Sequence, residues 1–120
     1  MTHYMIYFNR EWVGARSDAW IRERGPLAQA VVDDMRVAGV YVLAGGLEET
    51  GTFSVAPVED GVRFADGRYD GASQWLGGFA VVRVPDEKAA RDWAGKLAQA
   101  CGWPQEVRRL VLELEEDEGA

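Results

Sequence analysis

Residues 61–84 read Gly-Val-Arg-Phe-Ala-Asp-Gly-Arg-Tyr-Asp-Gly-Ala-Ser-Gln-Trp-Leu-Gly-Gly-Phe-Ala-Val-Val-Arg-Val. A short strand is expected over 62–65, closed by Asp66-Gly67, a common turn dipeptide. A loop of small and polar residues follows, carrying Tyr69, Asp70 and Trp75. Gly77-Gly78 then leads into a strongly apolar strand over 79–84. A carboxylate, a phenol and an indole beside a glycine pair have the composition of a small-molecule pocket: a few polar groups, an aromatic wall and a close backbone.

Upstream of this stretch, Glu59-Asp60-Gly61 is a hairpin signal. The strand before it, 52–56, alternates polar with apolar residues and so has one wet face. Residues 48–51 form a turn after a strand over 40–44, and Gly45-Gly46 marks a bulge or a close approach. Leu27, Val31, Met35 and Ala38 recur at helical spacing, with Gln29, Asp33 and Arg36 on the wet face and Gly39 as C-cap. Ser17-Asp18 is an N-cap signal for a helical turn through Trp20 and Ile21. Gly25-Pro26 is expected to interrupt that turn, with Pro26 opening a second helix. Residues 3–8, His-Tyr-Met-Ile-Tyr-Phe, form a strand that is apolar on both faces.

Downstream, Pro85-Asp86 opens the last helix, with Ala89, Trp93, Leu97 and Ala100 as its expected buried stripe and Cys101 beside it. Gly102 ends that helix and Pro104 prevents its return. A last strand is expected over 107–114, with Leu110, Leu112 and Leu114 on one face.

The order is β-α-β, a β-hairpin insertion, then β-α-β. That is an α+β chain with the ferredoxin-like split βαβ pattern, helices on one face of an antiparallel sheet. The second apolar face of the first strand needs its own cover. A second copy of the chain laid on the same face supplies it as a C2 homodimer.

The 120 residues make one domain, expected over 1–114, with an acidic flexible tail at 115–120. A net charge of −7 argues against a nucleic-acid partner, which needs a basic face. A single cysteine, Cys101, excludes an internal disulfide and fits the cytoplasm. With one His and one Cys, a zinc site of the usual kind is not expected, and no cofactor is implied. No apolar run is long enough for a membrane span, and no signal peptide is read.

Asp66-Gly67-Arg68-Tyr69, followed in register by Gln74-Trp75-Leu76-Gly77-Gly78-Phe79, resembles the signature of the DGPF-domain family of the YCII-related superfamily. So do Ala38-Gly39-Val40, Gly45-Gly46-Leu47 and Val84-Pro85-Asp86 in their places. The likeness spans roughly residues 3–114 and implies a dimeric α+β barrel. The chain departs from the signature where Arg68 and Tyr69 replace Pro and Phe, and where Gly71-Ala72-Ser73-Gln74 replaces a charged stretch. The resemblance also implies a helix His paired with an Asp as acid and base. That place falls at about Ala28, and no His lies in the helix.

Asp66 is the best acid–base candidate, with Tyr69 as partner. Asp66 reads equally as a turn residue that accepts bonds from its own loop backbone. On that reading, Asp66→Ala costs about 1–2 kcal/mol. Trp20 and Trp75, with Trp12, are candidate pocket walls, though aromatics are more often plain core. Arg24 and Arg68 have the forked geometry that suits a carboxylate, though arginines are more often solvated. Gly77 and Gly78 complete the expected ligand pocket.

Three functions remain open. The missing helix His favours a non-catalytic small-molecule-binding or accessory protein. The resemblance also allows a lyase or isomerase acting through Asp66 on a small cyclic or aromatic compound. It further implies a regulatory partner linked to an extracytoplasmic-function sigma factor.

Overall fold

A computed structural model of the chain describes residues 1–69 and 75–112. Asp70, residues 71–74, Leu114 and the acidic tail at 115–120 lie outside the described residues.

Strand β1 is Thr2–Asn9, followed by a 3-10 turn at Arg10–Val13 and helix α1 at Asp18–Ala38. Strands β2 (Tyr41–Gly46), β3 (Phe53–Val58), β4 (Gly61–Asp66) and β5 (Leu76–Val84) come next. Helix α2 (Glu87–Cys101) and strand β6 (Glu106–Arg109) complete the order. The main sheet has the order β2-β5-β1-β6, and β3-β4 form a separate two-stranded ribbon. All the pairs are antiparallel. With the ribbon set aside, the chain is a ferredoxin-like α+β fold, its helices packed on one face of the sheet.

The helices start where the sequence says. Ser17 Oγ accepts from Trp20 N at 3.1 Å, and Asp86 Oδ1 accepts from Ala89 N at 2.9 Å. Each bond satisfies a backbone donor that the first turn leaves open. Gly39 and Gly102 end the helices at φ 76° and 69°, the left-handed conformation glycine adopts without strain.

Helix α1 does not break at Gly25-Pro26: it runs unbroken for 21 residues. Proline removes one donor and strains the turn before it. Here Arg22, Glu23, Gly25 and Pro26 are all exposed, so water can solvate the carbonyl left open. Packing of the later turns then carries the helix through. Its buried stripe is Val31, Val32 and Met35, whereas Leu27 and Ala38, expected inside, are exposed. In α2 the fully buried residues are Ala90, Ala94, Leu97 and Cys101, while Ala89, Trp93 and Ala100 lie at the edge of the core. Leu97 is common to both stripes, and around it Ala90, Ala94 and Cys101 take the fully buried places, so the bulky Trp93 is left at the border.

Ile6, Ala80, Val82 and Val84 meet Val31, Met35, Ala90 and Leu97 in the core between sheet and helices. Strand β5 begins at Leu76, so Gly77-Gly78 lie inside it and not before it. Strand β6 is shorter than expected, although Leu110 N still donates to His3 O at 2.9 Å.

Candidate functional site

A cavity of about 340 Å³ opens between α1 and the sheet. The fold makes room there through its glycines. Gly45 and Gly46 of β2, and Gly77 and Gly78 of β5, lie side by side along one end of the sheet and place no side chains over it. Helix α1 supplies the opposite wall with Ile21, Ala28 and Val32, and with Arg24 and Arg36. Phe8, Trp103 and Cys101 line it from the remaining side, and Arg10 stands after the end of β1.

The aromatic side is tightly built. The Phe8 ring centroid is 4.8 Å from that of Trp103, and Trp20 is 5.7 Å from Trp103 on the other side. Trp103 Nε1 donates to Asn9 O at 2.9 Å, which anchors the indole where a buried N–H must find an acceptor. The Arg24 guanidinium stacks on Trp20, 4.5 Å from the ring centroid. Burial pushes the Cys101 thiol above its ordinary range, only partly offset by backbone bonds and the charge of Arg24, so it is a poor nucleophile.

Of the residues expected to form a pocket, Arg24, Gly77 and Gly78 line this cavity. Trp20 is not in the lining but touches it, its ring tilted at 45° against Trp103 and lying under the Arg24 guanidinium. Arg68 and Trp75 form a brace outside the lining. The Arg68 guanidinium lies 3.9 Å from the Trp75 ring centroid, and its Nη1 is 3.6 Å from Glu11 Oε1. Trp75 N donates to Glu11 Oε2 at 3.3 Å, and Arg10 N donates to Trp75 O at 3.0 Å. The brace ties the return from the hairpin to the turn after β1. Trp12 is half-buried outside the lining.

Asp66 and Tyr69 stand apart from the cavity lining, at the end of β4 and just after it. Both are exposed, Tyr69 at 65%. The turn at Asp66-Gly67 is closed by backbone: Gly67 N donates to Thr52 O at 2.8 Å, with Gly67 at φ 89°. Among the described residues no hydrogen bond reaches the Asp66 carboxylate, and residues 70–74 of the loop expected to supply its donors lie outside the described residues. Because its side chain is exposed, Asp66→Ala is expected to change stability by less than about 0.5 kcal/mol, the range of an exposed substitution. Chemical denaturation checks this, and a loss above about 1 kcal/mol would restore the side chain as the turn's anchor.

Sequence reasoning passed over Trp103, Phe8, Arg10 and Glu11. Nothing local marks them. Trp103 reaches Asn9 across 94 residues of chain, a neighbourhood that only the sheet order creates. Ala28, the place the resemblance reserves for a His, does line the cavity. Among the described residues no group of three or more His, Cys, Asp or Glu could hold a metal ion, and no helix is long and apolar enough to cross a membrane. No protein-family model matches the chain, and no curated protein matches it.

Proposed function

We propose that this chain is a small-molecule-binding protein of the YCII-related type, assembled as a homodimeric α+β barrel. The observation that carries the binding reading is the cavity between α1 and the glycine-rich end of the sheet. Its volume is in the range of ligand pockets, and its walls are mainly apolar with a few polar groups. Among the described residues the lining contains neither His nor carboxylate. That composition supports binding over acid–base catalysis, which needs a proton-transferring group within hydrogen-bond reach of the substrate. A thermal-shift screen of small cyclic and aromatic compounds tests it. Compounds that stabilise the chain, but not an Ala28→Leu variant with part of the cavity filled, support the reading. No such compound overturns it.

Dimerisation rests on the other face of the sheet. Ile6, Ala80 and Val82 point into the core, so by strand alternation Met5, Tyr7, Phe79 and Val81 point away from the helices. Leu43 of β2 pairs with Val81 and is 49% exposed. At the rim, Tyr7 lies beside Glu106 and Arg108 of β6, and burial together with Glu106 raises its hydroxyl pKa. Met5, Tyr7 and Leu43 on this face are only partly covered in the single chain, whereas Val81 is already 6% exposed and His3 and Arg83 share the face. A second copy of the chain is the cover we propose, in an interface of about 2,000 Å² or more in total. Light scattering at micromolar concentration should give twice the chain mass. Leu43→Glu, at a position open to water in the single chain, should give the monomer. A monomeric parent chain rules the dimer out.

A further inference from the structure

The cavity has a chemical bias at odds with the rest of the chain. The sequence carries 20 acids against 13 Lys and Arg. Yet Arg10, Arg24 and Arg36 line the cavity, and among the described residues no Asp or Glu does. Each arginine has an acidic neighbour, but that neighbour stands outside the lining. Arg24 Nη2 meets Glu23 at 3.3 Å, Arg10 Nε meets Glu49 at 3.0 Å, and Arg36 Nη1 meets Asp33 at 3.1 Å. Those carboxylates are 66%, 52% and 61% exposed. Ion pairs so open to water hold their partners weakly.

Arg24 is the informative one. Its side chain is 22% exposed. Its Nε is shielded from solvent and has no hydrogen-bond partner among the described residues. Its guanidinium carbon lies over the Trp20 ring, 4.5 Å from the centroid, a contact that holds the head group against the aromatic side. A buried donor without an acceptor is costly, and few such groups persist in native proteins without a reason. Arg10 Nε is shielded in the same way: Glu49 is close enough for attraction but not aligned for a hydrogen bond. A planar fork held in place beside an apolar wall is suited to a planar or tetrahedral anion.

We propose that the cavity binds a small organic anion, a carboxylate or phosphate headgroup on a compact apolar body, with Arg24 as the anchor and Arg10 as the second cationic contact. The body lies against Phe8, Val32 and the glycine end of the sheet. At about 30 Å³ per water, the volume holds on the order of ten non-hydrogen atoms, the size of a single ring with one charged substituent. This inference rests on the binding reading above and adds the ligand's charge class to it.

Titration of the chain with benzoate, phenyl phosphate and benzamide, followed by calorimetry and by tryptophan fluorescence, tests it. At least one of the two anions should bind ten-fold or more tightly than neutral benzamide, and the ratio of benzoate to phenyl phosphate separates a carboxylate site from a phosphate site. Raising salt from 0.05 to 0.5 M should weaken the anion and leave benzamide unmoved. Arg24→Gln should cost the anion ten-fold or more, Arg24→Lys less, and Arg68→Gln, outside the lining, nothing. Should Arg24→Gln fail to fold, the salt dependence and the benzoate-to-benzamide ratio of the parent chain decide the matter. Benzamide binding as tightly as both anions overturns the charge class and leaves the binding reading standing. Anions that fail while neutral compounds of the screen bind do the same. If neither charged nor neutral compounds bind, both readings fall.

Discussion

Met35→Ala is expected to lower the unfolding free energy by about 2–5 kcal/mol, the range for emptying a buried methionine site. Met35 is 0% exposed and belongs to the core that joins α1 to the sheet, with Ile6, Val82 and Val84 among its members. Its place on α1 is fixed by the turns on either side, and its backbone carbonyl accepts from Val40 N at 3.0 Å as the chain leaves the helix. The backbone is therefore poorly placed to collapse into the space that three missing heavy atoms leave. A domain of this size has about 5–15 kcal/mol in total, so the variant should lose a large share of it. In urea the midpoint should fall by about 1–3 M, given the slopes usual for small proteins. A drop under about 0.5 M would mean that α1 slides to refill the site, so that the helix–sheet contact is looser than the structure shows.

Gly77→Ala carries the second large effect. A Cβ built at Gly77 would lie 2.6 Å from Phe8 Cε2 and 3.1 Å from Arg10 Cγ, and one at Gly78 would lie 2.8 Å from Phe8 Cε1. The Phe8 ring cannot simply turn aside, because Trp103 packs against it and is itself bonded to Asn9. Inserting one methyl here should cost about 1–3 kcal/mol, as overpacking of a filled interior does. The control is the same change in a Phe8→Leu background, where the ring edge is gone. There Gly77→Ala should cost less by at least about 0.5 kcal/mol, the lower end of coupling for residues in contact. Equal costs in both backgrounds would mean that the penalty arises from the strand's own backbone. Gly77 and Gly78 also border the cavity, so the variant that moves Phe8 should weaken any ligand found there.

Much of the fold is legible in the chain because its signals are local. Ser17 and Asp86 satisfy the first open N–H groups of their helices wherever those helices lie. Gly39 and Gly102 reverse the chain at the helix ends. The alternation in β3 and the run of apolar residues in β5 give strands from spacing alone. The order of these elements, with the hairpin inserted, is enough for a ferredoxin-like α+β sheet. Where local rules compete with packing, they fail. Pro26 should have ended a helix and does not, since the carbonyl it strands faces water and the later turns bury Val31, Val32 and Met35.

The candidate site divides in the same way. Arg24, Gly77 and Gly78 are readable as pocket residues because their types suit a ligand wherever they are found. Asp66 and Tyr69 have equally suitable types, yet they stand exposed at the end of the hairpin ribbon. Residue type carries no information about which side of a turn faces a cavity. Trp103 and Arg10 enter the cavity only because β1 lies between β5 and β6, which brings chain segments some ninety residues apart into contact. The sequence by itself determined the kinds of element, their order and their ends, through hydrogen bonds and periodicities within a few residues. The tertiary structure alone decided which face of each helix is buried, which glycines make room and which arginines surround it, since those depend on contacts between distant segments.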